Sequence, residues 1–177
     1  MTTRKADGFA LIDLLFVIAL IGVLSTIALP RMLLARQSAG AASAIGSMRV
    51  IHSAELTFAL TCGAGFYAPD LTTLGRAPVG SREGFISPNL ATANTVTKSG
   101  YVIQLDGVAF PGAPGSCNGL AVGEAAQGWR AFADPTDADN RRYFATNVNG
   151  SIFENTATLS AAMPEVGEPP IGQVRRS

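Results

Sequence analysis

The residues of this chain that could do chemistry are few and far apart. Asp13 is a lone carboxylate near the start of an apolar run from Phe9 to Leu29. A charge in such a run costs about 2.5–3.5 kcal/mol on insertion scales when central, and less near an interface, so it is expected to face a partner. His52 is the only histidine. With Glu55 three places on, it reads as a helix-face residue within reach of that carboxylate rather than as a ligand or general base. No residue stands in a recognisable nucleophile context, and no Cys-x-x-Cys or His/Cys cluster supports zinc or haem, so an enzyme is not expected. The run Asp134-Pro135-Thr136-Asp137-Ala138-Asp139-Asn140 gathers oxygens of the kind Ca²⁺ takes. Its spacing is no EF-hand, and Asp-Pro and Asn are ordinary turn formers. Asp134, Asp137 and Asp139 are therefore expected to form a solvated turn ahead of a calcium site, and no cofactor is expected.

The element that must position Asp13 is the N-terminal helix. A leader carrying Arg4 and Lys5 precedes the apolar run. About 20 apolar residues at roughly 1.5 Å of rise each suffice to cross a bilayer core. The cationic leader marks the side expected to stay cytoplasmic, which puts everything after Pro30 outside. A secretory signal would have a shorter apolar region and a small-residue cut site after it. A plain anchor fits the length and leaves Asp13 unexplained. A cut between Gly8 and Phe9 would create an α-amino group four residues before Asp13. In an assembly that ammonium could pair with the Asp13 carboxylate of a neighbour, setting the register between packed helices.

The helical pattern continues past Pro30, where a kink is expected. Ala41, Ile45, Met48, His52, Leu56 and Ala59 recur at spacings of three and four, one face of a helix. Gln37, Ser38, Ser43, Ser47, Arg49 and Glu55 fill the polar positions. One helix from Phe9 to Leu60 would extend roughly 78 Å, so its second half must leave the membrane and can lay its stripe on a globular domain. Small residues within Ala35 to Ser47, among them Ala39, Gly40, Ala42 and Gly46, suit close packing, read here as subunit packing.

Cys62, Gly63 and Gly65 stop the helix. Residues 76–99 are rich in Gly, Pro, Ser, Thr and Asn and read as loop, with Phe85, Ile86 and Leu90 as anchors. Strand signals follow at Tyr101–Leu105, Trp129–Ala133 and Arg142–Thr146. The third turns at Asn149-Gly150 into a fourth, Ser151–Glu154. The expectation is an α+β fold: a long kinked N-terminal helix on an antiparallel sheet of three or four strands, with Phe132, Phe144 and Ile152 facing the helix stripe. The divisions are leader 1–8, helix 9–61 (9–29 apolar, 30–61 amphipathic), head 62–162 and a flexible tail 163–177. Cys62 and Cys117, the only cysteines, read as one disulfide in a chain placed outside the membrane, the alternative being two free buried thiols.

The basic leader, Gly8 before Phe9, the acidic residue five places into the mature chain and the long apolar helix resemble the N-terminal signal of type IV pilins and type II secretion pseudopilins. The resemblance is specific over the first ~55 residues and looser beyond. Pro69-Asp70-Leu71-Thr72-Thr73-Leu74-Gly75 resembles the loop that leaves the long helix in many pilins. Tyr143-Phe144-Ala145 with Gly150 and Ile152 resembles their last hairpin. The resemblance implies a type IV pilin fold, cleavage after Gly8 and methylation of Phe9 by prepilin peptidase, and an assembly role for Phe9 and Asp13. It also implies helix weakening at Gly22 and Pro30. The family usually has Glu where this chain has Asp13, which is shorter by a methylene. Calcium binding in a C-terminal loop of major pseudopilins is what brings the Asp134 run into consideration.

The implied life history is a single-pass precursor in a bacterial inner membrane that self-assembles, with the pilus assembly machinery, into an extracellular filament or a periplasmic pseudopilus. Pilus roles such as adhesion, motility or DNA uptake are not distinguished by these residues. A pseudopilin of a secretion system is the alternative within the family. A minor tip pilin binding a ligand or DNA is the alternative of another class. Formal net charge is zero with 15% charged residues, and Arg141 and Arg142 beside Tyr143 are too few for a nucleic-acid stripe, so no nucleic-acid partner is expected.

Overall fold

The computed structural model describes residues 11–175. Its elements are α1 (Leu11–Thr61), α2 (Leu71–Gly75), β1 (Thr95–Lys98), β2 (Tyr101–Asp106), β3 (Arg130–Pro135), β4 (Tyr143–Asn147), β5 (Phe153–Asn155) and β6 (Gln173–Val174), with a single 3₁₀ turn at Pro88–Leu90. The layout is α+β, a long N-terminal helix packed with an antiparallel sheet. The chain divides into two compact units, Met1–Ser38 and Ala39–Ser177, and α1 contributes to both.

In the first unit α1 is helical from Leu11 onward and does not end at Pro30. Leu, Ile, Val and Ala carry it, with no charge between Leu14 and Pro30. Ser25 donates its hydroxyl to the Ile21 carbonyl at 2.8 Å and Thr26 to the Val23 carbonyl at 2.7 Å. Both polar groups are thus satisfied within the helix, as an apolar surrounding demands.

In the second unit the sheet is a meander in the order β1-β2-β3-β4-β5-β6, every neighbour antiparallel. Strand alternation gives it two faces. One contributes Ile103, Leu105, Ala131, Ala133 and Phe144 to a core shared with Ala41, Ala44, Met48, Ile51, Ala54 and Phe58 of α1. The other gathers Phe132, Ala145 and Phe153 with Leu159 and Met163. Fully burying each large aliphatic or aromatic side chain is worth about 1.5–3 kcal/mol, so both layers matter to stability.

Several expectations need correction. The sheet has six strands, not three or four. Thr95–Lys98, read as loop, pairs with β2 through a turn at Ser99 and Gly100, both at positive φ. The tail is not loose in the described residues: Met163 is buried, β6 pairs with β5, and Asn147 donates its amide to the carbonyls of Pro164 and Gly167 at 3.0 and 2.7 Å. Composition missed this because one buried methionine, a side-chain amide and a short strand pairing fasten the segment, none of which its Pro and Gly content signals. Phe132 faces away from α1, since Ala131 and Ala133 occupy the helix side of β3.

Ala41, Met48 and Ala59 of the expected stripe are buried, but the face of α1 differs at its margins. Ser47 and Glu55 are inside, whereas Leu56 is 41% exposed. The small-residue run is partly used within the chain. Gly40, Ala41 and Ala44 are buried, and a Cβ on Gly40 would lie 2.6 Å from the Ser99 carbonyl oxygen. Ala42 and Gly46 remain outward.

Candidate assembly segment

A stretch of α1 has the length and apolarity needed to cross a membrane, and none of that 18-residue window is buried within the protein. A membrane-spanning helix and a signal sequence share these properties. Leu11, Ile12, Phe16, Val23 and Ile27 are all exposed by well over half their surface. Asp13 lies at the start of the described part of α1. Gly22 has no neighbour within 4 Å of where a Cβ would stand, so within this chain no close contact demands glycine there. Gly8 and Phe9 lie outside the described residues. Pro30 lies within α1.

The end of α1 is fixed to the head by covalent and polar ties. Cys62 and Cys117 form a disulfide with Cα atoms 4.9 Å apart. The Cys117 N–H also donates to the Cys62 carbonyl at 3.1 Å. The bond joins the last turn of α1 to the loop between β2 and β3 and closes a separation of 55 residues. In the chain-entropy model that contributes about 4 kcal/mol.

Glu55, assigned to a polar face by its type, is fully buried. Its Oε2 accepts the Ala68 N–H at 2.9 Å, and its Oε1 has no partner. Burial is the chief cause that holds this carboxyl well above its ordinary value; the Ala68 hydrogen bond opposes the shift and the nearby Asp70 adds to it. The spacing 51-55-58-62 on the buried face was the available signal. The expected pairing with His52 does not form. His52 Nδ1 is buried without a partner, and its ring lies 5.8 Å from that of fully buried Trp129. Gly150, at φ +74, packs on the same imidazole: a Cβ there would stand 2.7 Å from its ring. Burial lowers the His52 pKa from its ordinary value.

The segment after Pro69 forms α2. Asp70 caps it by accepting the Thr73 N–H at 2.8 Å and the Thr72 hydroxyl at 2.7 Å, and Leu71 and Leu74 are fully buried. Burial would raise the Asp70 carboxyl, but the combined hydrogen bonds from Thr72 and Thr73 hold it below its ordinary value.

The three aspartates considered for calcium are not in one turn. Asp134 belongs to β3, opposite Val102, and accepts the Thr158 hydroxyl at 2.6 Å. Asp137 accepts the Asp139 N–H at 3.1 Å in the following turn. Among the described residues no group of three His, Cys, Asp or Glu is placed to hold a metal ion.

A polar network that composition gave no reason to expect lies at the β5–β6 edge. Arg142 grips Glu154 through Nε at 2.6 Å and Nη2 at 3.3 Å, and Arg175 reaches the second oxygen at 2.9 Å. Its third member comes from the segment read as tail. Compared with protein-family models, curated proteins and solved structures, the chain matches none of them.

Proposed function

We propose that this chain is a structural subunit that polymerises through its N-terminal helix into a type IV pilin-like filament, after cleavage between Gly8 and Phe9. One observation carries the reading: the first part of α1 is apolar around its whole circumference and uncovered within the chain. Water cannot be its working environment. Before assembly a bilayer would cover it, and in a filament the same helices of other copies would.

At about 25 cal/mol per Å² of apolar surface, burial of many aliphatic side chains outweighs one salt bridge. Asp13 would then govern alignment more than strength, by pairing with the new amine at Phe9 of a neighbour. The ordered, disulfide-closed head stands on the exported side, where oxidation is permitted.

Mass spectrometry of the protein recovered from sheared cell surfaces tests this. The expected N-terminus is a methylated Phe9, with filaments visible by electron microscopy and much reduced in an Asp13→Ala strain. Short assemblies retained at the membrane would favour a secretion pseudopilus. Material still beginning at Met1, monomeric and dispersed in lipid, would exclude both.

A further inference from the structure

The β5–β6 edge of the head holds a hollow of about 660 Å³, within the roughly 300–1,000 Å³ range of small-ligand sites. Three guanidinium groups, from Arg141, Arg142 and Arg175, surround a single carboxylate, Glu154, leaving a surplus of two positive charges. Two of the three are held in place. Arg142 is bidentate to Glu154 and lies over the Phe144 ring at 5.4 Å, and Arg175 is anchored by the Glu154 oxygen and by its own N–H to the Ile152 carbonyl at 2.8 Å. Arg141 makes no ion pair among the described residues.

The remaining polar lining is neutral: the amides of Asn155 and Gln173 and the hydroxyl of Thr156. No aromatic side chain lines the hollow, so it lacks the stacking platform that single-stranded nucleic acid uses. A second, smaller hollow shares Val174 and Arg175 and adds Arg49, which extends the cationic track beyond the space of one sugar ring.

We propose that this edge binds an acidic saccharide, its carboxylate received by Arg141 and Arg175 and its hydroxyls by Asn155, Thr156 and Gln173. Planar guanidinium groups suit a carboxylate in two-point contact, and neutral amides suit hydroxyls. Lengthening the ligand brings a second carboxylate toward Arg49. The inference concerns a binding activity of the head and does not rest on filament formation.

The test is titration of the full chain in detergent micelles with a galacturonate trimer, the matching neutral galactose trimer and a short single-stranded oligothymidylate at low ionic strength. The expected result is saturable binding of the galacturonate trimer, little of the neutral trimer, and weaker binding of the oligothymidylate. Arg141→Ala and Arg175→Ala should each weaken the acidic trimer about tenfold. Arg82→Ala, which removes an exposed charge in another loop, should leave binding unchanged. Equal affinity for the neutral trimer, tighter binding of the oligothymidylate, or no saturable binding would overturn the proposal. So would an Arg82→Ala loss as large as that of Arg141→Ala, or an Arg141→Ala variant that binds as well as the parent.

Discussion

The two parts of α1 obey opposite rules. Leu11, Ile12, Phe16, Val23, Ile27 and Leu34 are each exposed over well more than half their surface. From Ala41 to Thr61 one face is buried within the head and the other is open, with Leu60 84% exposed. One backbone conformation therefore serves two surroundings, and side-chain choice alone tells them apart. A helix hydrophobic all round needs an apolar surrounding from outside the chain, whereas a striped one finds it within its own domain. Stability of the head should depend on the second part and be indifferent to the first. Behaviour toward membranes and other copies should show the reverse.

The largest expected difference is between Phe58→Ala and Leu20→Ala. Phe58 is fully buried and meets Phe85 edge to face at 5.3 Å, so its truncation should cost the head about 3–5 kcal/mol. Leu20→Ala should change head stability by less than about 0.5 kcal/mol. Trp129, the only tryptophan and fully buried, reports both by fluorescence during denaturant unfolding. Replacing Cys62 and Cys117 together by serine should lower the same midpoint by about 4 kcal/mol worth of stability, with membrane insertion unaffected. Similar losses for Phe58→Ala and Leu20→Ala would break the comparison.

Turning the contrast around, Leu20→Arg should impair membrane insertion by about 2.5–3.5 kcal/mol on a glycosylation-reporter assay. Leu60→Arg, on the open face, should be neutral there and change head stability by no more than about 0.5 kcal/mol.

Glu55 gives a smaller effect with a pH signature. Glu55→Ala leaves the Ala68 N–H unpaired and should cost about 1–3 kcal/mol. The carboxyl is raised in the folded head, so its contribution is full below the ordinary value of 4.5 and is lost as pH rises through the folded value. Glu55→Gln keeps an acceptor and cannot ionise, so its stability should fall less than the parent's as pH rises. Asp70 acts with the opposite sign. Its contribution is full above the ordinary 3.8 and disappears as pH falls through the lower folded value. Parallel stability–pH curves for parent and Glu55→Gln would contradict the burial account.

The α+β layout, the β2–β3–β4 series and the apolar helix were legible because each rests on local chemistry: a long aliphatic run, and short runs of β-branched and aromatic residues bounded by turn formers. The features missed depend on partners far along the chain. Phe132 could be placed on either side of β3, because a strand offers two faces and only the covering segment decides between them. That cover is Leu159, near the end of the expected head, and Met163, the first residue of the stretch read as a flexible tail. Glu55 was assigned outward by its charge, although its position on the helix surface matched Ile51 and Phe58. Its burial follows from the turn after α1, which presents the Ala68 N–H. The β5–β6 arginine network needed Arg175 beside Glu154, a neighbour relation that only the sheet order creates.

The most direct measurement of the central claim is cysteine cross-linking with Leu20→Cys. Both native cysteines are engaged in the one disulfide, so the new thiol is the reactive one. If the first part of α1 is covered by its counterparts, as proposed, a thiol-specific bifunctional reagent should join Leu20→Cys copies in membranes and shed material into species larger than the monomer. A Leu20→Cys chain that stays monomeric in every fraction, under conditions that label its thiol fully, would contradict that account.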